Sequence, residues 1–197
     1  MTTSSELTLS EVLWKGSAAP WARGVRALVL AVAGAGVLAV AAKVQLPFWP
    51  VPVTLQTLAV LVLGMAYGPR LVAATVALYL AEGALGLPVF AGPLAGIGYL
   101  AGPTGGYLLG FVPAAAVTGW LATRGWDLRA STALVALAAG LALIYLPGVA
   151  WLSKFVGVEQ ALTVGFAVFL PAEAAKLVLA ACLAPVLWKV VTRWRLG

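Results

Sequence analysis

The sequence predicts an all-α, polytopic membrane protein in which six helices cross the bilayer as one bundle. Three observations carry that expectation. Of 197 residues, 63% are hydrophobic and only 9% charged, and the mean hydropathy is +1.05; a soluble domain with a large core does not have this composition. The apolar runs are long enough to span a hydrocarbon layer. Lys and Arg gather at alternate ends of those runs, as cytoplasmic loops require.

Residues 1–24 read as a cytoplasmic N-terminal arm. Thr8 and Glu11 fit a capping box that would open a short surface helix. The first span is expected over 25–44. Ala39-Val40-Ala41 has the look of a signal-peptide cleavage site, but the run is of full spanning length and five more follow it. Ala27, Ala31, Ala35 and Ala39 recur at four-residue spacing and make a smooth stripe. Such a stripe allows close helix approach, either inside the bundle or from a partner subunit.

Gln45 to Thr54 holds Pro47, Pro50 and Pro52 together with Phe48 and Trp49. Each proline disfavours helix at the residue before it, so this is a loop. The second span follows over 53–67, with Gln56 and Thr57 near its start. Gly68-Pro69-Arg70 is a tight turn. The third span, 71–85, carries Tyr79 and Glu82 near its far end. A long uncharged loop rich in glycine and proline runs over 86–106 and includes Phe90, Tyr99 and Thr104. Its glycines permit close backbone approach to a ligand. No Lys-Ser or Lys-Thr follows them, so it is not a nucleotide-binding P-loop.

The fourth span, 107–122, begins at Tyr107. After a short charged turn comes the fifth, 132–151, then an outer loop over 153–163. The sixth span, 168–191, precedes a basic cytoplasmic tail over 192–197. Pro171-Ala172-Glu173-Ala174-Ala175-Lys176 opens this last run. Glu173 and Lys176 lie three apart, on one helix face. A charge at mid-membrane costs roughly 2.5–3.5 kcal/mol on insertion scales, so a polar ligand explains the pair better than stability does.

Orientation follows from the basic residues. Lys15, Arg23, Arg26, Arg70, Arg124, Arg129, Lys189, Arg193 and Arg195 fall on one side, and Lys43 and Lys154 on the other. Both termini are therefore expected in the cytoplasm. Trp14, Trp21, Trp120, Trp126, Trp188 and Trp194 would form an inner interfacial belt, and Trp49 and Trp151 an outer one. The proline loop, the glycine loop, Gln56, Tyr79, Glu82 and the start of the sixth span then share the outer side. An outward pocket with apolar walls and few polar groups suits small-molecule capture. Glu82 also reads as an interfacial carboxylate reaching water.

Several classes are excluded or disfavoured. The single cysteine, Cys182, forms no intrachain disulfide, and there is no histidine. The net charge of +6 is explained by the flanks of apolar runs and does not call for nucleic acid. No nucleophile or metal site accompanies Glu173 or Glu82, so an enzyme is not expected, nor any cofactor. A stand-alone secondary transporter or channel is the alternative to capture, with Glu173 and Lys176 in a proton relay.

Three segments together resemble the biotin-binding S components (BioY family) of energy-coupling-factor vitamin transporters. They are Pro50-Val51-Pro52-Val53-Thr54-Leu55-Gln56-Thr57-Leu58, the loop from Gly86-Leu87-Pro88 through Gly102-Pro103-Thr104-Gly105-Gly106-Tyr107, and Leu170-Pro171 to Lys176. The resemblance implies a six-helix S-component fold, biotin as the ligand, and outer loops that close over it. It places an acidic residue and a lysine of the last helix in the site, here Glu173 and Lys176. It also implies partners: a transmembrane coupling subunit, docked on the Ala27 to Ala39 stripe, and two ATPases. Candidate ligand contacts are thus Glu173, Lys176, Gln56, Thr54, Phe48, Trp49, Tyr79, Glu82, Phe90, Tyr99, Thr104 and Tyr107. The chain departs from the family's usual Pro-Gly-Asp-x-x-Lys in having Ala172 and Glu173.

Overall fold

The computed structural model describes residues 8–9 and 19–196, with side chains through residue 190. The capping box at Thr8 and Glu11, most of the N-terminal arm with Trp14 and Lys15, and the side chains of the basic tail lie outside the described residues. The chain is mostly helical. Helix α1 is Pro20–Lys43, α2 Gln56–Tyr67, α3 Pro69–Ala84, α4 Ile97–Leu100, α5 Gly105–Ala122, α6 Ala130–Val156, α7 Val158–Gly165 and α8 Leu170–Leu196. Short 3-10 turns at Trp126–Leu128 and Ala167–Phe169 precede α6 and α8.

Helices α1 and α3 start on proline. A first-turn proline loses no hydrogen bond there, and its fixed φ suits the turn. Both helices thus begin before the spans that hydropathy marks at 25 and 71, and take Arg23 and Arg70 into their first turns and Arg26 into the second turn of α1. At the other end of the bundle the proline-rich loop is closed by a small hairpin. Strand β1 (Gln45–Leu46) pairs antiparallel with β2 (Val53–Thr54), Gln45 opposite Thr54 and Leu46 opposite Val53. That pairing delays α2 to Gln56, three residues beyond the expected start. Helix α6 runs on to Val156, and Gly157, at φ 84°, turns the chain directly into α7. The loop expected over 153–163 is therefore largely helical.

Helices α1, α5 and α6 and the stretch Val158–Val190 are long and apolar enough to cross a membrane, and α2 is a shorter apolar helix. Helices α2 and α5 occupy the middle of the bundle. α5 packs on α6, α2 and α3, while α2 also touches α1, α6 and α8. The α5–α6 contact depends on small residues: a Cβ at Gly110 would lie 2.7 Å from the Leu143 carbonyl and 2.9 Å from the Ile144 Cα. With no water to drive association in lipid, such close backbone packing supplies the contact energy. The outer surface carries Val25, Leu28, Val32, Val40, Leu179 and Leu183, all exposed, as a lipid-facing surface requires.

The structure places the alanine stripe and corrects one tryptophan of the expected belt. Ala31 and Ala35 are buried at the contact of α1 with the bundle, chiefly with α3, and Ala39 packs partly against the core. Gly34 beside them would place a Cβ 2.6 Å from Thr75. The stripe is therefore occupied by the chain's own helices, and of its alanines only Ala27 is exposed. A four-residue repeat specifies close packing but not the partner. Trp188, expected in the interfacial belt, is buried and donates its indole N–H to Asp127, tying α8 to the turn before α6. Trp21 and Trp120 do lie exposed at that end of the bundle.

Candidate ligand-binding site

Pro171 sits in the first turn of α8, where proline is tolerated, and Glu173 closes that same turn. Glu173 is 3% exposed. Lys176, one turn on, reaches back to Glu173 Oε1 at 2.7 Å. The partner that sequence spacing does not reveal is Thr57, at the start of α2. Its hydroxyl lies 2.8 Å from Glu173 Oε2 and 3.0 Å from Oε1. Lys176 Nζ also donates to Thr57 Oγ1 at 3.2 Å and to the Thr54 carbonyl at 2.7 Å. An ammonium has three donors, and all three of Lys176's are engaged within the protein. Tyr145 of α6 lines the same chamber as Glu173. Glu173 retains acceptor capacity on Oε2, because two carboxylate oxygens offer about four lone-pair sites.

A second polar chain ties the hairpin to the glycine loop. Thr54 Oγ1 donates to Gln56 Oε1 at 3.3 Å, and Gln56 Nε2 donates to the Tyr79 hydroxyl at 2.6 Å. The Tyr79 hydroxyl in turn donates to the Val89 carbonyl at 3.1 Å. Lys43, the last residue of α1, donates to the Phe90 and Gly92 carbonyls, each at 2.8 Å. Three carbonyls within four residues of the loop are thus pinned. The Phe90 side chain is fully buried between Tyr79 (ring centroids 5.5 Å apart) and Tyr99 (5.0 Å, stacked). It packs where a Cβ on Gly83 would overlap its ring, so Gly83→Ala would expel it.

These elements enclose two adjoining spaces. A vestibule of about 690 Å³ opens between the loops, lined by Phe48, Trp49, Pro50, Leu94, Tyr99 and Thr104 among others. Below it lies a chamber of about 50 Å³ lined by Thr54, Gln56, Thr57, Tyr99, Thr104, Tyr107, Phe111, Ile144, Tyr145, Phe169 and Glu173. Pro52, Ala91, Tyr99 and Thr104 border both. Small-molecule sites span roughly 300–1,000 Å³, so the vestibule has the size of a site and the chamber is its closed floor. Phe48 meets Phe169 edge-on at 6.0 Å, and Tyr145 meets Tyr107 at 5.6 Å and Phe169 at 6.2 Å.

The structure thus brings Glu173, Thr54, Gln56, Tyr99, Thr104 and Tyr107 together around the floor, with Phe48 and Trp49 above. Lys176 stands behind Glu173 and lines neither space. Tyr79 and Phe90 are buried behind the glycine loop and hold it. Glu82 borders neither space; it is partly exposed, and its carbonyl accepts from the Leu87 N–H at 3.1 Å. Thr57, Tyr145, Phe169 and Lys43 belong to the arrangement but stand outside the sequence-derived set. Only Thr57 carried a signal, as a hydroxyl beside Gln56 at the start of an apolar run.

The sequence model of the BioY family matches residues 8–193. A biotin transporter BioY of Thermotoga maritima is 38% identical over 165 residues, covering 81% of this chain and 94% of that protein. A probable biotin transporter BioY of Pyrococcus horikoshii is 39% identical over 137 residues, covering 70% and 80%. Among solved structures, the S-component for biotin from an ECF-type ABC transporter superposes with a TM-score of 0.71 at 22% identity, covering 85% of this chain and 93% of that one. That likeness shows a shared fold.

Proposed function

The chain belongs to the BioY family, and from that premise we propose that it captures biotin at the outer face of the cytoplasmic (inner) membrane and passes it inward. In this reading it is a multi-pass membrane protein with six spanning helices and both termini in the cytoplasm. The observation that carries the reading is one buried carboxylate, Glu173, at the floor of an apolar, aromatic-walled cleft and held by Lys176 and Thr57.

Biotin presents a ureido ring with two N–H donors, an apolar bicycle and an aliphatic tail ending in a carboxylate. Glu173 Oε2 accepts from the ureido N–H groups. Lys176 balances the charge of Glu173 from behind, since all three of its donors are engaged. Thr54, Gln56, Thr104 and Tyr99 offer further polar contacts at the floor, and Phe48 and Trp49 cover the apolar part. The tail and its carboxylate extend up the vestibule to water. The floor holds only about 50 Å³, so entry requires Phe48 to separate from Phe169 and the loops to part. Ala172 and Glu173, in place of the family's Gly-Asp, push the carboxylate one methylene further into that floor and fit its small volume.

Transport energy would come from partners, a transmembrane coupling subunit and two ATPases. A partner approaching α1 would meet Ala27 and the outward valines, because Ala31 and Ala35 are covered. The test is uptake of labelled biotin by cells lacking their own route, expressing this chain with and without candidate coupling and ATPase subunits. Uptake that rises with the partners and ignores an ionophore supports the reading. Uptake without partners that collapses with the ionophore would favour a secondary transporter.

A further inference from the structure

At the end of the bundle opposite the biotin site, a separate cleft of about 510 Å³ opens between α1 and the α2–α3 turn. Arg23 and Arg26 line it from one face of α1, and Arg70 from the first turn of α3. Tyr67, Thr8 and Thr123 also border it, the Thr123 hydroxyl donating to the Trp120 carbonyl at 2.8 Å, and Ala27, Leu30 and Leu71 supply an apolar wall. Among the described residues, no acidic side chain lines the cleft. The positive end of the α3 dipole, with the unbonded first-turn amides of a helix N-terminus, opens beside Arg70. The cleft lies at the depth of Trp21, which is 75% exposed, and of Trp120, which is 45% exposed and stacked on Arg124 at 3.4 Å. Exposed tryptophans of this kind mark the headgroup region.

We propose that this cleft is a binding site for the phosphate headgroup of an anionic phospholipid. Guanidinium forks from two helices match phosphate oxygens, and the apolar wall of Ala27, Leu30 and Leu71 suits the start of the acyl chains. Basic pockets between spanning helices hold anionic headgroups in this way. The inference rests on the membrane placement of the chain and not on its biotin site.

The test uses the full chain in nanodiscs of mixed phosphatidylglycerol and phosphatidylcholine, with retained lipids counted by native mass spectrometry. The wild type is expected to retain phosphatidylglycerol over phosphatidylcholine by at least about tenfold. Arg26→Gln/Arg70→Gln should abolish that preference, while Arg124→Gln/Arg129→Gln, which removes the same charge elsewhere on this face, should keep it. The unfolding midpoint of each variant monitors folding. If the double variant does not fold, Arg70→Gln against Arg129→Gln makes the same comparison. Equal loss in both pairs would reduce the effect to net charge and overturn the site. No lipid preference in the wild type, or displacement of the lipid by inorganic phosphate at millimolar concentration, would overturn the lipid assignment, as would arginines that serve only to bind a protein partner.

Discussion

The Thr57 hydroxyl bridges both oxygens of Glu173, at 2.8 and 3.0 Å, across 116 positions of sequence. This contact joins the start of α2 to the start of α8 and fixes where the carboxylate points. Thr57 therefore positions the ligand-binding group, and its removal has a defined cost. A hydrogen bond to a charged group is worth about 1.5–3 kcal/mol. Thr57→Val should weaken biotin binding by roughly ten- to a hundredfold, and Thr57→Ser should restore most of it. Equilibrium binding with both variants checks this.

Lys176 and Glu173 form a buried pair, and breaking one partner of such a pair costs about 3–5 kcal/mol because the other charge is left uncompensated. Lys176→Met should lower the unfolding midpoint in detergent more than Lys176→Met combined with Glu173→Gln. A double variant less stable than the single one would show that the pair does not carry this energy.

Lys43 holds the glycine loop by the Phe90 and Gly92 carbonyls. The ammonium is partly solvated, so its two bonds contribute about 1–2 kcal/mol together. Lys43→Met should release labelled biotin roughly five- to thirtyfold faster in a cold chase. Trimming of the loop by protease should increase in parallel.

Asp127 lies in the turn before α6, and burial pushes its carboxyl above the ordinary aspartate range; the Trp188 N–H opposes that shift. Between the unfolded value, about 3.9, and the raised folded value, the folded state binds more protons than the unfolded state. Stability from this group is therefore present at low pH and is lost as pH rises through that window. Asp127→Asn keeps an acceptor for Trp188 and removes the titration. It should flatten the dependence of the unfolding midpoint on pH across that range and match or exceed wild type at neutral pH.

Much of this arrangement was legible in the chain. Apolar runs and their charged flanks give the helices, because hydropathy reports the solvent directly. Glu173 and Lys176 stood out because charge inside an apolar run is costly, and their helical spacing put them on one face, where the structure pairs them at 2.7 Å. Thr57 was legible only as a hydroxyl at the start of an apolar run, and Tyr145 and Phe169 were not legible, since an ordinary ring acquires a role only when distant helices meet around it. Lys43 read as one outer charge, and its loop partners are backbone carbonyls that no side-chain pattern encodes. The alanine stripe announced close packing, but a smooth helix face fits a neighbour in the same chain as well as one in another subunit.

The most direct test of the biotin site is equilibrium binding of labelled biotin to the purified chain alone, wild type beside Glu173→Ala, with folding checked by unfolding midpoint. Tight, roughly one-to-one binding by the wild type that Glu173→Ala abolishes is the predicted result. Undiminished affinity in folded Glu173→Ala, or no binding by the folded wild type, would contradict it.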